Sequence, residues 1–328
     1  YAGKIARHRR ICGSCWYAIM TIAVNCLNNS IMMKIYDCLQ YYDEDFLLDL
    51  RLNVLNKYVK KFIITEATYS HNGTKKKLNF DINRFDKFKD KITYLVVDKA
   101  PPKILEFVNG EAEGEKSKKS ILNGMARDYF QRENLARGLQ DVDDNDVVMI
   151  SDLDEIPNLE NVDLSKIKNK IIIFKQKMLY YKLNLLYENF IWHGTKACKK
   201  KNFVSPQWLR NIKAKKYPKW RFDLFFSKKK YTDLFFIENG GWHFTYLKSP
   251  EDLEKKLLNF AHHYEFEKSG LKINDIKRFI AEKRIVYDHG IDQRGYKWSG
   301  RAILKKINTN LLPAYVSSNL DKYKKWLD

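Results

Sequence analysis

The stretch Val147–Pro157, VVMISDLDEIP, constrains this chain more than any other. Val147, Val148, Met149 and Ile150 read as a buried strand, since a short apolar run bounded by polar residues suits a strand covered on both faces. Asp152, Asp154 and Glu155 arrive where that strand should emerge. In a strand or tight turn, residues two apart point the same way, so Asp152 and Asp154 can converge on one point. Two carboxylates about 4 Å apart repel by roughly 4 kcal/mol at an effective dielectric near 20, and a cation between them turns that penalty into a binding site. The carboxyl ends of buried strands are also where open α/β sheets bind ligands. The pattern predicts a divalent-metal site serving a phosphate-bearing substrate.

The 328 residues are 45% hydrophobic, enough for a sizeable core in one large or two modest domains and too apolar for a disordered chain. A net charge of +20 raises nucleic acid or an anionic membrane as partners. The charge is carried by 46 Lys and only 14 Arg, in scattered runs such as Lys199–Lys201 and Lys228–Lys230. Arginine is the residue suited to bidentate phosphate and base contacts, so a solvated lysine surface is the better reading. Cys12 and Cys15 have CxxC spacing, but no second pair or histidine cluster completes a zinc site. From Met33 on only Cys38 and Cys198 remain, which rules out a disulfide framework there and favours a reducing compartment.

Residues 1–32 differ from the rest: basic Lys4, Arg7, Arg9 and Arg10 precede a mostly apolar stretch from Ile11 to Leu27. That order suits a signal anchor, though the stretch is shorter than the ~20 apolar residues that span a bilayer. The alternative is an upstream read-through, since Met33 resembles a natural start. The expected location is cytoplasmic or membrane-associated, with peripheral or single-anchor attachment.

Leu47 to Tyr58 repeats at helical spacing behind acidic Asp43, Glu44 and Asp45. Phe62–Thr65, Ile92–Val97 and Val147–Ile150 read as strands, and Ser120–Leu139 as a helix after a polar loop at 109–119. Ile171–Leu183 and Asp233–Ile237 are further β-prone runs, and Gly240-Gly241 breaks the pattern before Trp242. Glu251–Lys268 and Asn274–Arg284 are helical. The alternation predicts an α/β fold with a mostly parallel central sheet, with a catalytic domain over 33–250 and a helical C-terminal region over 251–328 packed on it.

Four further clusters could carry chemistry. Glu66 to Gly73 follows a strand with polar groups, a ring and a glycine bend, which suits a nucleotide or an ordinary loop exit. Arg127 and Arg132 fall roughly 140° apart on a helix, and Asp128 with Arg132 is an i, i+4 pair. Glu238 to Phe244 combines two glycines with His243, a metal-ligand type that is as often a satisfied core residue. His262 and His263 point apart on a helix, which excludes zinc binding of the HExxH kind.

Taken in order, IYDCLQYYDEDFLLDLRLN (Ile35–Asn53), FIITEATYSHNG (Phe62–Gly73), YFQRENLARGL (Tyr129–Leu139), ISDLDEIP (Ile150–Pro157) and GGWHFTY (Gly240–Tyr246) resemble glycosyltransferase family 17. That is the family of the N-acetylglucosaminyltransferase that adds the bisecting residue to N-glycans. The resemblance implies a GT-A fold, an inverting reaction, UDP-N-acetylglucosamine as donor, a glycan acceptor, and Mn²⁺ (or Mg²⁺) on an Asp-x-Asp motif. Asp152 and Asp154 fall on that motif, with Glu155 beside them and His243 as a late metal or diphosphate residue. Arg127 or Arg132 would stabilise the diphosphate, and Glu66 and His71 would contact the nucleotide. The general base is left among Glu238, Asp223 and Glu155. Two other readings compete: a haloacid-dehalogenase-like phosphohydrolase, which also sets Asp-x-Asp after an apolar strand, and a basic nucleic-acid-binding protein. The first lacks a downstream GDxxxD, and the second lacks aromatic residues interleaved with basic ones.

Overall fold

Parallel strands cannot be joined by a tight turn; each needs a crossover of a dozen or more residues. The chain supplies them in its first half. The computed structural model describes residues 33–328, apart from 219, 225, 260–262, 292–295 and 299. The anchor-like stretch, the CxxC pair and His262 therefore lie outside the described residues. Strands β1 (Ile35–Gln40), β2 (Lys61–Ala67), β3 (Ile92–Val97) and β4 (Val147–Ile150) pair in parallel in the order β3-β2-β1-β4. Helix α1 (Asp45–Leu55) carries the chain from β1 to β2, and α2 (Glu113–Glu133) from β3 to β4. The chain thus steps outward from β1 to β3 and then returns to the other side of β1. Such a reversal opens a crevice at the carboxyl ends of the two central strands.

Beyond β4 come β5 (Glu155–Pro157), β6 (Ile171–Tyr180) and β7 (Leu185–Lys199), then α3 (Pro206–Asn211), β8 (Leu234–Ile237) and β9 (Gly241–Thr245). Here the sheet becomes mixed: β7 runs antiparallel to β4 and β6, while β8 and β9 run parallel to β6. Helices α4 (Pro250–Asn259), α5 (His263–Ser269) and α6 (Ile273–Ala281) follow, and β10 (Lys305–Lys306) pairs with β7. Leu253, Leu257, Phe266, Ile276 and Phe279 bury against Met178, Tyr180 and Tyr246 of the sheet's second half. No helix among the described residues is long and apolar enough to cross a membrane.

Several expectations change at this level. The polar loop read at 109–119 ends early, because α2 already starts at Glu113. The single helix expected over 251–268 is two, α4 and α5, and among the described residues past Arg284 helix is confined to short turns between Thr309 and Trp326. Gly240-Gly241 does not end the sheet. Gly241 opens β9 with φ +131°, and a Cβ there would meet the Ile156 carbonyl oxygen at 2.2 Å. Glycine is what lets β5 and β9 lie side by side.

Candidate active site

The turn after β4 is held from below by one side chain. Arg51 sits on the buried face of α1, fully excluded from water. Its Nε and Nη2 donate to the two carboxylate oxygens of Asp37 in β1 at 2.7 Å each, a bidentate pair. Nη2 also donates to Ser151 Oγ, and Nη1 donates to the carbonyls of Asp152 (3.1 Å), Leu153 (3.2 Å) and Glu155 (2.7 Å). The Asp152 carbonyl also accepts from the Glu155 amide at 3.1 Å and the Glu155 carbonyl from Thr195 Oγ1 at 3.1 Å, so the Leu153 carbonyl is the acceptor that depends most on Arg51. Arg51 was invisible as a site residue in the sequence, although an arginine within an apolar helical run was a signal.

With the backbone fixed, the three acids part company. Asp152 and Asp154 keep 39% and 16% of their side chains exposed, whereas Glu155 has none. Glu155 accepts from Arg210 of α3 at 2.7 Å through both oxygens, from Trp192 Nε1 at 2.5 Å and from the Asp152 amide at 3.0 Å. Asp152 accepts from Arg132 of α2 at 3.0 Å and from Arg210 at 2.6 Å. Desolvation works against its charge, but Arg210 and Arg132 outweigh it and hold the carboxyl well below the usual range.

Asp154 has a different partner. Antiparallel pairing of β5 with β9 sets Glu155 opposite His243, which brings the His243 Nε2 to 3.4 Å from Asp154 Oδ1. Burial opposes both charges, yet each partner favours the other's, so the carboxyl is lowered and the imidazole raised. His243 also stacks on Trp192 with ring centroids 4.8 Å apart, and its Nδ1 is buried without a hydrogen-bond partner.

These groups open on a cavity of about 360 Å³ lined by residues from both central strand ends: Gln40, Tyr41 and Tyr42 after β1, and Asp152 and Asp154 after β4. Its wall includes His71, Asp128, Arg132, Trp192, His243 and His289. It also includes Glu44 and Lys256, which were not foreseen; Lys256 Nζ of α4 lies 3.1 Å from Glu44 Oε1. Glu44 is desolvated, but Lys256 and Lys248 prevail and keep its carboxyl below the usual range.

The remaining expected residues fall into two groups. His71 lines the cavity, and Arg127 reaches it only indirectly, donating to the His71 carbonyl at 2.8 Å. Burial holds the His71 imidazole below its usual pKa. Glu66 does not face the cavity. It is buried, bonded to Lys76, to the Asn79 and Phe80 amides at 2.8 and 3.0 Å, and to Tyr94 Oη at 2.8 Å, so it fixes a loop and has no oxygen left for a nucleotide.

None of the three residues read as general base lines this cavity. Asp223 is exposed and paired with Arg221 and Lys230 at 2.8 and 2.7 Å. Glu238 is exposed, pairs with Lys175 at 2.6 Å and borders a different depression with His193. Glu155 is sealed under Arg210 and Trp192. His263 bonds Ser120 Oγ at 3.1 Å.

A family model for glycosyltransferase family 17 matches residues 25–328. The chain belongs to glycosyltransferase family 17. It is therefore a glycosyltransferase, a class whose substrates are a nucleotide-sugar donor and a glycan acceptor. The phosphohydrolase and nucleic-acid readings give way to sugar transfer. No curated protein matches the chain in a sequence comparison.

Proposed function

We propose that this family 17 enzyme has a GT-A-type fold and transfers N-acetylglucosamine, with inversion, from UDP-N-acetylglucosamine to a glycan acceptor, using Mn²⁺ or Mg²⁺. The observation that carries the reading is the meeting of Asp154 and His243 in a cavity at the carboxyl ends of β1 and β4. Among the described residues no group of three or more His, Cys, Asp or Glu encloses a metal by itself. A cation held by one or two protein donors completes its shell with water and substrate phosphates. Asp154 and His243 are the fitting donors, an oxygen and a nitrogen within reach of each other; Asp152, with both oxygens engaged by arginines, would orient them or the ribose. A bound cation would supply charge neutralisation to the departing diphosphate.

The other roles follow from position. Arg132, buried and aimed along the cavity wall, adds fixed positive charge beside the phosphates. Neutral His71 and Gln40 border the space for the nucleoside. Trp192 offers a flat apolar face to a sugar ring. Of the carboxylates lining the cavity, Asp152, Asp154 and Asp128 are engaged with arginines or His243. Glu44 pairs with Lys256 and Lys248, accepts from the Asp43 amide at 3.3 Å, and is our choice for the base that takes the acceptor hydroxyl proton.

The test is incubation with Mn²⁺ and a panel of nucleotide sugars. Slow hydrolysis of a UDP-sugar, stopped by EDTA and lost in Asp154→Asn at unchanged thermal stability, is expected. Phosphate release from simple monoesters without UDP-sugar cleavage would overturn the reading. So would a UDP titration whose Mn²⁺ dependence survives His243→Ala intact.

A further inference from the structure

A seventeen-residue arch leaves the fold just after the helix that supplies Arg210. It begins at Lys213 and is closed by the Lys213 amide donating to the Lys229 carbonyl at 2.7 Å, the close-ended geometry of an Ω-loop. Its base is anchored: Trp208 Nε1 donates to Tyr231 Oη at 3.0 Å, and Lys196 Nζ donates to the Ile212 carbonyl at 2.6 Å. Its tip points away from any core. Trp220 is 77% exposed, Phe222 81% and Phe226 90%, the three most exposed large apolar side chains described. Exposed apolar patches rimmed by polar residues mark interaction sites in folded proteins.

The charge around those rings is as lopsided as their exposure. Residues 213–230 hold Lys213, Lys215, Lys216, Lys219, Arg221, Lys228, Lys229 and Lys230 against a single acid, Asp223. That acid is already neutralised by Arg221 and Lys230. The same two cations lie over the Tyr217 ring, 5.6 and 5.9 Å from its centroid, which braces the tip from inside.

We propose that this arch docks the enzyme on an anionic lipid bilayer, with Trp220, Phe222 and Phe226 entering the interfacial layer and the lysines meeting the headgroups. Aromatic side chains favour the headgroup level, and each lysine near an anionic leaflet adds attraction that salt weakens. Charge selects this occupant over others. A second copy of the chain carries +20 itself, and residues 1–32 hold basic side chains and no acid, so neither complements the arch. Seven lysines to one arginine fit a charged plane better than the base edges or phosphate forks of a nucleic acid. The proposal is independent of the donor and the metal.

The full chain should be sedimented with phosphatidylcholine vesicles and with vesicles in which phosphatidylserine makes up about a third of the lipid, at low and high salt. Binding at least about tenfold tighter to the anionic vesicles, weakened by salt, is expected. The combined variant Trp220→Ser, Phe222→Ser, Phe226→Ser and, separately, Lys228→Gln, Lys229→Gln, Lys230→Gln should each lose about tenfold or more while circular dichroism and thermal unfolding stay those of the parent. Vesicles should shift the tryptophan emission to the blue, and Trp220→Phe should remove most of that shift. Vesicle binding that the two loop variants leave unchanged would overturn the proposal, whether or not residues 1–32 hold the chain to lipid. Preference for a single-stranded oligonucleotide over the vesicles would overturn it too, as would concentration-dependent self-association lost in the aromatic variant without any vesicle binding.

Discussion

Replacing Arg51 by Met tests how the carboxylate turn is built. The substitution keeps most of the buried stem volume and removes every donor. Asp37 would then sit as an uncompensated charge, fully buried in a central strand. Breaking one side of a buried pair costs about 3–5 kcal/mol, and the Leu153 carbonyl loses its donor as well, while those of Asp152 and Glu155 keep the Glu155 amide and Thr195 Oγ1. Against a typical stability of about 5–15 kcal/mol, that is roughly a fifth or more of the total. Urea unfolding of Arg51→Met should show a fall of this size. Adding Asp37→Leu removes the stranded charge, and the double variant should return to within about 2 kcal/mol of the parent, because apolar replacement of both partners is often close to neutral. Stability should come back without function: the Leu153 carbonyl stays without its donor and those of Asp152 and Glu155 keep only the Glu155 amide and Thr195 Oγ1, so Mn²⁺-dependent UDP binding should stay at least about tenfold weaker. An Arg51→Met variant within about 1 kcal/mol of the parent would refute the reasoning. A double variant with full UDP affinity would show that the turn needs no fork beneath it.

Three further outcomes are expected. In Gly194→Ala the new Cβ would meet Gln176 Oε1 at 2.0 Å and Glu155 Cδ at 2.8 Å, so stability should drop by about 1–3 kcal/mol and turnover should fall with it; a variant melting like the parent contradicts this packing. Glu44→Gln should lower turnover at least about a hundredfold with little change in UDP affinity, the range for a lost general base, while Glu238→Gln keeps parental rates; equal rates for both would remove Glu44 from the chemistry. Lys196, pulled down to about 7 by burial and then by Arg210, binds fewer protons folded than unfolded between pH 7 and about 10.5. Stability of the parent relative to Lys196→Met should therefore rise with pH across that window, by up to about 1.4 kcal/mol per unit, and stay flat below it; a falling difference in urea titrations would reverse the assignment.

What the sequence could tell about this molecule depended on distance along the chain. Strand β4 and its acidic turn were legible because the apolar run and the three acids are contiguous, and α1 because its leucines repeat locally. Strand β1 was not recognised as a strand: Asp37 interrupts its apolar run, and the arginine that excuses it lies in the next element. The general base was sought near glycines and turns, yet whether a carboxylate faces a cleft or open solvent is decided by partners far away, as with Glu44 under Lys256 and Glu238 beside Lys175. His243 could be suspected as a ligand by type alone, while its placement required the β5–β9 register, which a one-residue slip would turn to the other face. A joint argument could have reached further. An arginine on the apolar face of a helix and an aspartate inside a buried strand are each a heavy penalty alone, since neither charge can be left unpaired in a core. Two such penalties one element apart relieve each other only by contact. That reasoning brings Arg51 to Asp37, α1 beneath β1, and the remaining donors of the guanidinium beneath whichever strand end lies next to β1, which is where the acidic turn is held.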